Sequence, residues 1–265
     1  MKKSDYIIEV KNLRKKFKEN MAVADISFKV KTGEVFAFLG PNGAGKSTTI
    51  KILTTLLKPT EGSVHLNGFN VLKDKAKARK SFGIVFQDQS LDIDLTAYEN
   101  MYFHATLYKI PKADRLEKIK KLMEMVDLWE KRKQIVKKFS GGMKRRLEIA
   151  RGLLHHPEIL FLDEPTLGLD PQTRQHIWQY IMNLNKSEAL TIFFSTHYLD
   201  EVEKIADKVA IIDQGKIIDI GTVKEIKERN QTLTLEEAFI KLTGKNMRQE
   251  EGDNLAVVKQ YLRKR

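Results

Sequence analysis

The chain has 265 residues, 42% of them hydrophobic and 31% charged, with a formal net charge of +12 and no cysteine. That is room for one sizeable α/β domain with a short appendage, or for two small domains; it excludes a disulfide framework and a thiolate zinc site, and it fits a reducing cytosol. The charge admits a nucleic-acid footprint or a solvated basic surface beside anionic lipid or an acidic partner; the second is preferred, because the basic clusters at 14–18, 73–80, 131–138 and 263–265 carry few aromatics on which a single strand could stack.

In chain order, the opening MKKSDYIIEVK has lysines with no apolar stretch behind them, so no secretory leader is expected. No apolar run approaches the roughly 18 residues that cross a bilayer. Segments 6–10, 26–30 and 63–67 read as antiparallel strands beside a main sheet. Four nearly continuous apolar runs, 35–39, 82–86, 159–162 and 190–194, read as parallel strands covered on both faces. Each runs into polar chemistry: a glycine loop, Gln87, Asp163-Glu164, and Ser195-Thr196-His197. Ligands of open parallel sheets sit at the carboxyl ends of the strands, so four strand ends point at one place.

The first of these ends is Gly40-Pro41-Asn42-Gly43-Ala44-Gly45-Lys46-Ser47-Thr48, which matches G-x-x-x-x-G-K-[ST]. Such a loop folds backbone N–H groups around phosphate oxygens, sends the lysine to the β and γ phosphates, and offers the Ser47 hydroxyl to Mg²⁺. A helix with Ile50, Leu53 and Leu57 on one face is expected to follow. From 88 to 157 the pattern turns helical. Thr96 and Glu99 form a capping box, and Leu116, Ile119, Leu122, Met123 and Val126 make an apolar stripe at helical spacing, read as core. Ser140 is placed as the N-cap of a further helix whose first turn, Gly141-Gly142, leaves N–H groups open; a capped helix with a permissive start explains the same residues.

Asp163 and Glu164 follow four apolar residues, where one carboxylate can hold Mg²⁺ and its neighbour can act as general base. A solvated strand-to-loop turn is the plainer alternative for the pair in isolation. Segments 209–212 and 216–220 flank Asp213-Gln214-Gly215 as a hairpin. Near the end, Leu235, Phe239 and Leu242 offer a docking face, and the basic tail from Gly244 to Arg265 can bind lipid or partner or simply be solvated.

Taken in order, these motifs resemble the ATP-binding cassette (ABC) ATPases over about residues 5–225. FSGGM is similar to the family's signature sequence, LFLDEPTLGLD to its Walker B and D-loop, Gln87 to the Q-loop, His197 in FFSTHYLDE to the switch histidine, and Phe17 to the aromatic that stacks on adenine. Phe139 and Met143 depart from the commoner leucine and glutamine; Met143 removes a side-chain hydrogen bonder and leaves the backbone donors. FSGGMKRRLEIA, with LTLEEAFIKLTGK, resembles the drug- and antibiotic-export branch.

The resemblance implies a P-loop NTPase fold: a RecA-like parallel sheet core with an antiparallel β subdomain and a helical subdomain at about 88–157. The ATPase domain would span 1–225 and a C-terminal extension 226–265. It implies Mg-ATP hydrolysis, with Phe17 on adenine, residues Gly40 to Thr48 on the phosphates, and Ser47, Asp163 and Gln87 on Mg²⁺. Glu164 is the base, His197 the γ-phosphate sensor, Lys46 and Gln87 further catalytic groups, and Asp170 the link between sites. Two cassettes, taken as copies of one chain, would pack head to tail, each site completed by the other's Ser140-Gly141-Gly142. Separate transmembrane permease subunits and a place on the cytoplasmic face of the membrane follow, with no nucleic acid expected. A non-transport ABC ATPase acting on DNA or the ribosome is the alternative, favoured only by the charge. An unrelated P-loop kinase or GTPase is opposed by the signature segment and His197.

Overall fold

The computed structural model describes residues 5–244. Strands β1 (Tyr6–Phe17) and β2 (Asn20–Lys31) form a long antiparallel hairpin, joined by β4 (Glu61–Leu66) and β5 (Phe69–Asn70) in the sheet order β2-β1-β4-β5. The second sheet has the order β10-β9-β3-β8-β7-β6, built from β3 (Val35–Leu39), β6 (Phe82–Val85), β7 (Ile159–Asp163), β8 (Thr191–Thr196), β9 (Lys208–Asp213) and β10 (Lys216–Gly221). All its pairings are parallel except β10 on β9. The four apolar runs are β3, β8, β7 and the edge strand β6, with β3, β7 and β8 buried along their whole length, as continuous hydrophobicity requires of strands covered on both faces.

Alternation along those strands divides the interior. Phe36, Phe38, Phe161 and Phe193 face the antiparallel sheet, with Phe28, Phe36 and Phe193 stacked at 5.5 to 5.9 Å between centroids. Helix α1 (Lys46–Leu53) packs on this side through Ile50, Ile52 and Leu53, as does α2 (Lys75–Lys80) through Ala78. Val35, Leu39, Leu160, Leu162, Ile192 and Phe194 face the other way. There they meet α3 (Ala97–Leu107), α4 (Lys112–Met125), α5 (Gly141–Gly152), α6 (Pro171–Glu188), α7 (Leu199–Ile205), α8 (Val223–Asn230) and α9 (Leu235–Thr243). Each fully buried aromatic or aliphatic side chain contributes about 1.5–3 kcal/mol.

Several expectations shift. β1 and β2 run to twelve residues each, because the charged stretch beyond Val10 pairs strand to strand across bulges at an exposed rim, where no apolar run advertises it. β8 continues past Phe194 through two buried hydroxyl residues, and β6 stops at Val85. α1 ends at Leu53; Leu57 reaches the same core from beyond a turn in which Thr55 adopts φ 65°. Leu116 is 57% exposed while Ile119, Leu122, Met123 and Val126 are buried, so the α4 stripe is one turn shorter than read. The Thr96–Glu99 capping box forms with both reciprocal bonds. Leu235 and Phe239 are fully buried and Leu242 packs beside them, so that face docks on the chain's own core. The basic tail beyond Gly244 lies outside the described residues.

Candidate functional site

The loop after β3 wraps a cavity of about 580 Å³ lined by residues 41–48 together with Phe17, Gln87 and Glu164. Its turn into α1 needs glycine: Gly45 caps the helix at φ 103°, and a Cβ there would lie 2.5 Å from the Ala22 carbonyl oxygen. The first N–H groups of α1 have no intrahelical acceptor and no acidic residue in the first turn competes for them, so the cavity floor suits an anion. Lys46 is buried, donating from Nζ to the carbonyl oxygens of Gly40 (2.7 Å) and Pro41 (3.2 Å), with Glu164 Oε1 at 3.3 Å. Phe17, 45% exposed, stands at the cavity wall and is not core; Lys15 Nζ lies 4.8 Å from its ring centroid.

The carboxylates occupy different environments. Asp163 Oδ1 accepts from Ser195 Oγ (2.6 Å) and from Ser47 Oγ (3.1 Å). Burial pushes its carboxyl above the ordinary value against those two hydrogen bonds. Glu164 sits at φ 48°, a left-handed backbone held by its N–H donating to Ser195 Oγ at 3.1 Å. Burial raises its carboxyl too, yet the contact with His197 and the charge of Lys46 outweigh it and hold it below the ordinary value. His197 Nδ1 lies 2.7 Å from Glu164 Oε2. One carboxylate is thus kept ionised between a lysine and a histidine, and its neighbour is fixed by hydroxyls.

Ser47, Gln87 and Asp163 line one smaller adjoining cavity of about 310 Å³. Hydroxyl, amide and carboxylate oxygens suit a hard cation such as Mg²⁺. Among the described residues no cluster of three His, Cys, Asp or Glu could hold a metal unaided.

The signature residues lie elsewhere. Ser140 caps α5, its Oγ accepting from the Met143 N–H at 3.3 Å, and none of Ser140, Gly141 and Gly142 lines the cradle cavity. Gly142 packs so tightly that a Cβ would lie 2.5 Å from Thr173 Cγ2. Thr173 is itself held by Asp170, the N-cap of α6, whose carboxylate accepts from its N–H (2.9 Å) and hydroxyl (2.6 Å). Further along α5, Arg145 donates to the carbonyl oxygens of Phe86 (2.5 Å) and Gln87 (3.1 Å) and pairs with buried Glu148. Glu148 accepts from the Ser90 N–H at 2.7 Å and Arg151 donates to the Ser90 carbonyl oxygen at 2.8 Å. The Gln87 loop is therefore gripped by the helix that begins at Ser140.

Residues that reading the sequence did not single out complete the picture. Asn20, Met21, Ala22 and Gln214 share the cavity wall with Phe17. Ser195 meets Asp163 because β7 and β8 pair them in register, which only the strand pairing reveals. Buried Glu201 joins Thr166 to Thr196.

Residues 23–167 match the ABC transporter family. The chain is 40% identical to the linearmycin resistance ATP-binding protein LnrL of Bacillus subtilis over 223 residues, covering 84% of this chain and 71% of that one. It is 38% identical to the doxorubicin resistance ATP-binding protein DrrA of Mycobacterium tuberculosis over 231 residues (86% and 70%) and 39% identical to the methionine import ATP-binding protein MetN 1 of Bacillus cereus over 236 (86% and 68%). Among solved structures, an ATP-binding subunit of an ABC transporter superposes with a TM-score of 0.81 at 30% identity over 89% of this chain and 99% of that one. The dimeric cassette MJ0796 bound to ADP and Pi superposes at 0.73 with 28% identity (81% and 98%). None of these is named for DNA or the ribosome, and the non-transport alternative finds no support. The chain belongs to the ABC transporter family, as an ATP-binding and ATP-hydrolysing subunit.

Proposed function

We propose that this subunit drives export of small molecules through separate transmembrane subunits, working in Mg-ATP-dependent head-to-tail pairs on the cytoplasmic face of the membrane. The carrying observation is the placement of Glu164 between Lys46 and His197 at the wall of the phosphate cradle. Glu164 accepts a proton from water as the water oxygen bonds to the γ phosphorus, and the bond to the β–γ bridging oxygen breaks to release ADP. Lys46 and the backbone of residues 40–48 hold the phosphates, Phe17 stacks on adenine, and His197 senses the γ-phosphate while orienting Glu164. Ser47, Asp163 and Gln87 hold Mg²⁺, which when bound offsets phosphate charge.

Pairing is supported by the separation of Ser140-Gly141-Gly142 from the chain's own cavity: a capped helix start with open donors serves a phosphate brought by a second cassette. Asp170 joins the two sites. The reading that separate subunits span the membrane fits a chain in which no described helix is long and apolar enough to cross one. Export is supported by the segment FSGGMKRRLEIA and by relatives named for antibiotic resistance.

Purified Glu164→Gln protein tests the chemistry: ATP affinity is expected to stay within about twofold while turnover falls at least about a hundredfold. Near-normal turnover overturns the base assignment. Pulling the same tagged variant from gently solubilised membranes with Mg-ATP is expected to bring down a multi-span protein. Recovery of ribosomes or DNA in its place, or of a permease that accumulates substrate inward, overturns the export reading.

A further inference from the structure

We propose that Glu201 is a positioning residue that sets the spacing between the Glu164 loop and His197, one carboxylate oxygen holding Thr166 and the other holding Thr196. The inference rests on the reading of Glu164 as base and His197 as its orienting partner. Glu201 lies on α7, 5% exposed, and enters no step of hydrolysis. Thr166 Oγ1 donates to its Oε1 at 2.5 Å and Thr196 Oγ1 donates to its Oε2 at 3.1 Å. Both hydroxyl residues are 1% exposed.

The two anchored residues are those that matter for spacing. Thr166 lies two residues after Glu164, on the loop that continues to Asp170; Thr196 immediately precedes His197. Glu201 therefore bridges the same two segments that meet in the Glu164–His197 contact, a few residues further from the cavity. A second bridge runs outside it: Arg174 donates to the Leu169 carbonyl oxygen at 2.9 Å, and its guanidinium lies 4.0 Å from the Tyr198 ring centroid. A buried carboxyl is a costly way to join two loops that apolar packing could hold, and burial pushes this one above the ordinary value against its hydrogen bonds. What a bidentate carboxylate adds over packing is a fixed distance and direction.

ATP hydrolysis and ATP affinity of the purified full chain, compared for Glu201→Ala, Glu201→Gln, Thr166→Val and Thr196→Val, test the inference, each alone and combined with Glu164→Gln. Glu201→Ala is expected to lower kcat roughly tenfold to a hundredfold with KM for ATP within about twofold, because misplacing a catalytic group costs turnover more than binding. Glu201→Gln, which keeps one acceptor oxygen, is expected to recover part of the loss, and each valine variant to lose about threefold to tenfold. Combined with Glu164→Gln, Glu201→Ala is expected to cost no further turnover. A folded Glu201→Ala protein with wild-type kcat overturns the proposal, as does a loss that persists in full when Glu164 is already gone, which marks a structural role. If Glu201→Ala fails to fold, the two valine variants decide by the same criteria. Normal turnover in Glu164→Gln alone is a separate result: it removes the base assignment, not the bridge.

Discussion

The phosphate cradle and the signature segment are both helix starts fed by glycine loops, and they are finished to different degrees. At the cradle, Lys46 and Glu164 are nearly sealed from solvent, and backbone oxygens, a serine and a histidine occupy their polar atoms. At the signature, Ser140 makes one capping bond, Gly141 stays exposed and Gly142 is half-buried against Thr173. At the cradle the polar side chains are buried and paired within one chain. A capped helix start fixed from behind by Thr173 and set apart from the chain's own cavity is the arrangement the proposed pairing calls on.

The largest expected break falls on the cradle side. Lys46→Ala removes a buried cation and leaves Glu164 with an uncompensated charge, so nucleotide affinity is expected to fall at least about thirtyfold, read by titration calorimetry or fluorescent-ATP displacement. Unchanged affinity would falsify the assignment of Lys46 to the phosphates.

The signature side should respond in the opposite sense. Gly142→Ala sets a Cβ 2.5 Å from Thr173 Cγ2, and the bond from the Thr173 hydroxyl to Asp170 keeps that side chain from turning away. ATP affinity of the separate chain is expected to stay within about twofold while turnover drops roughly tenfold. A matching loss of both would mean that Gly142 serves its own chain's site.

The smallest effect concerns protons. Because the Glu164 carboxyl is held below its ordinary value in the fold, its stabilising contribution is fully present above the unfolded carboxylate range near pH 4.3 and is lost as pH falls through the lower folded value. Lys46→Met takes away one of the influences that lower it, so the Glu164 titration followed by carboxyl carbon NMR should move upward, and the acid limb of the melting curve should begin at higher pH. A titration that stays put would leave His197 alone holding the carboxylate.

How much of this could be read from residues depends on what burial does to sequence. The central strands were legible because being covered on both faces forces continuous apolar runs ending in functional loops or polar residues, as at Leu39 and Leu162. The Thr96–Glu99 capping box and the Ser140 cap were legible because they are local. Register was not: nothing along the chain says that Ser195 lies opposite Asp163, or that Glu201 reaches Thr166 across 35 residues. The outer halves of β1 and β2 stayed hidden for the complementary reason, since an exposed rim tolerates any charged residue and places no periodic demand on composition. Leu116 shows the converse error: its spacing belongs to the stripe, but α4 turns that end toward solvent.

The grip of α5 on the Gln87 loop has a mechanical consequence. Arg145, Glu148 and Arg151 recur at intervals of three along the helix and hold the loop at Phe86, Gln87 and Ser90, so the two are expected to move together. A helix of this length is a rod about 18 Å long, and a tilt of about ten degrees about its C-terminal end would carry its N-terminal end through about 3 Å. That displacement is a full hydrogen-bond length. On the proposed pairing, a push on the loop would carry the donors around Ser140 toward or away from a phosphate together.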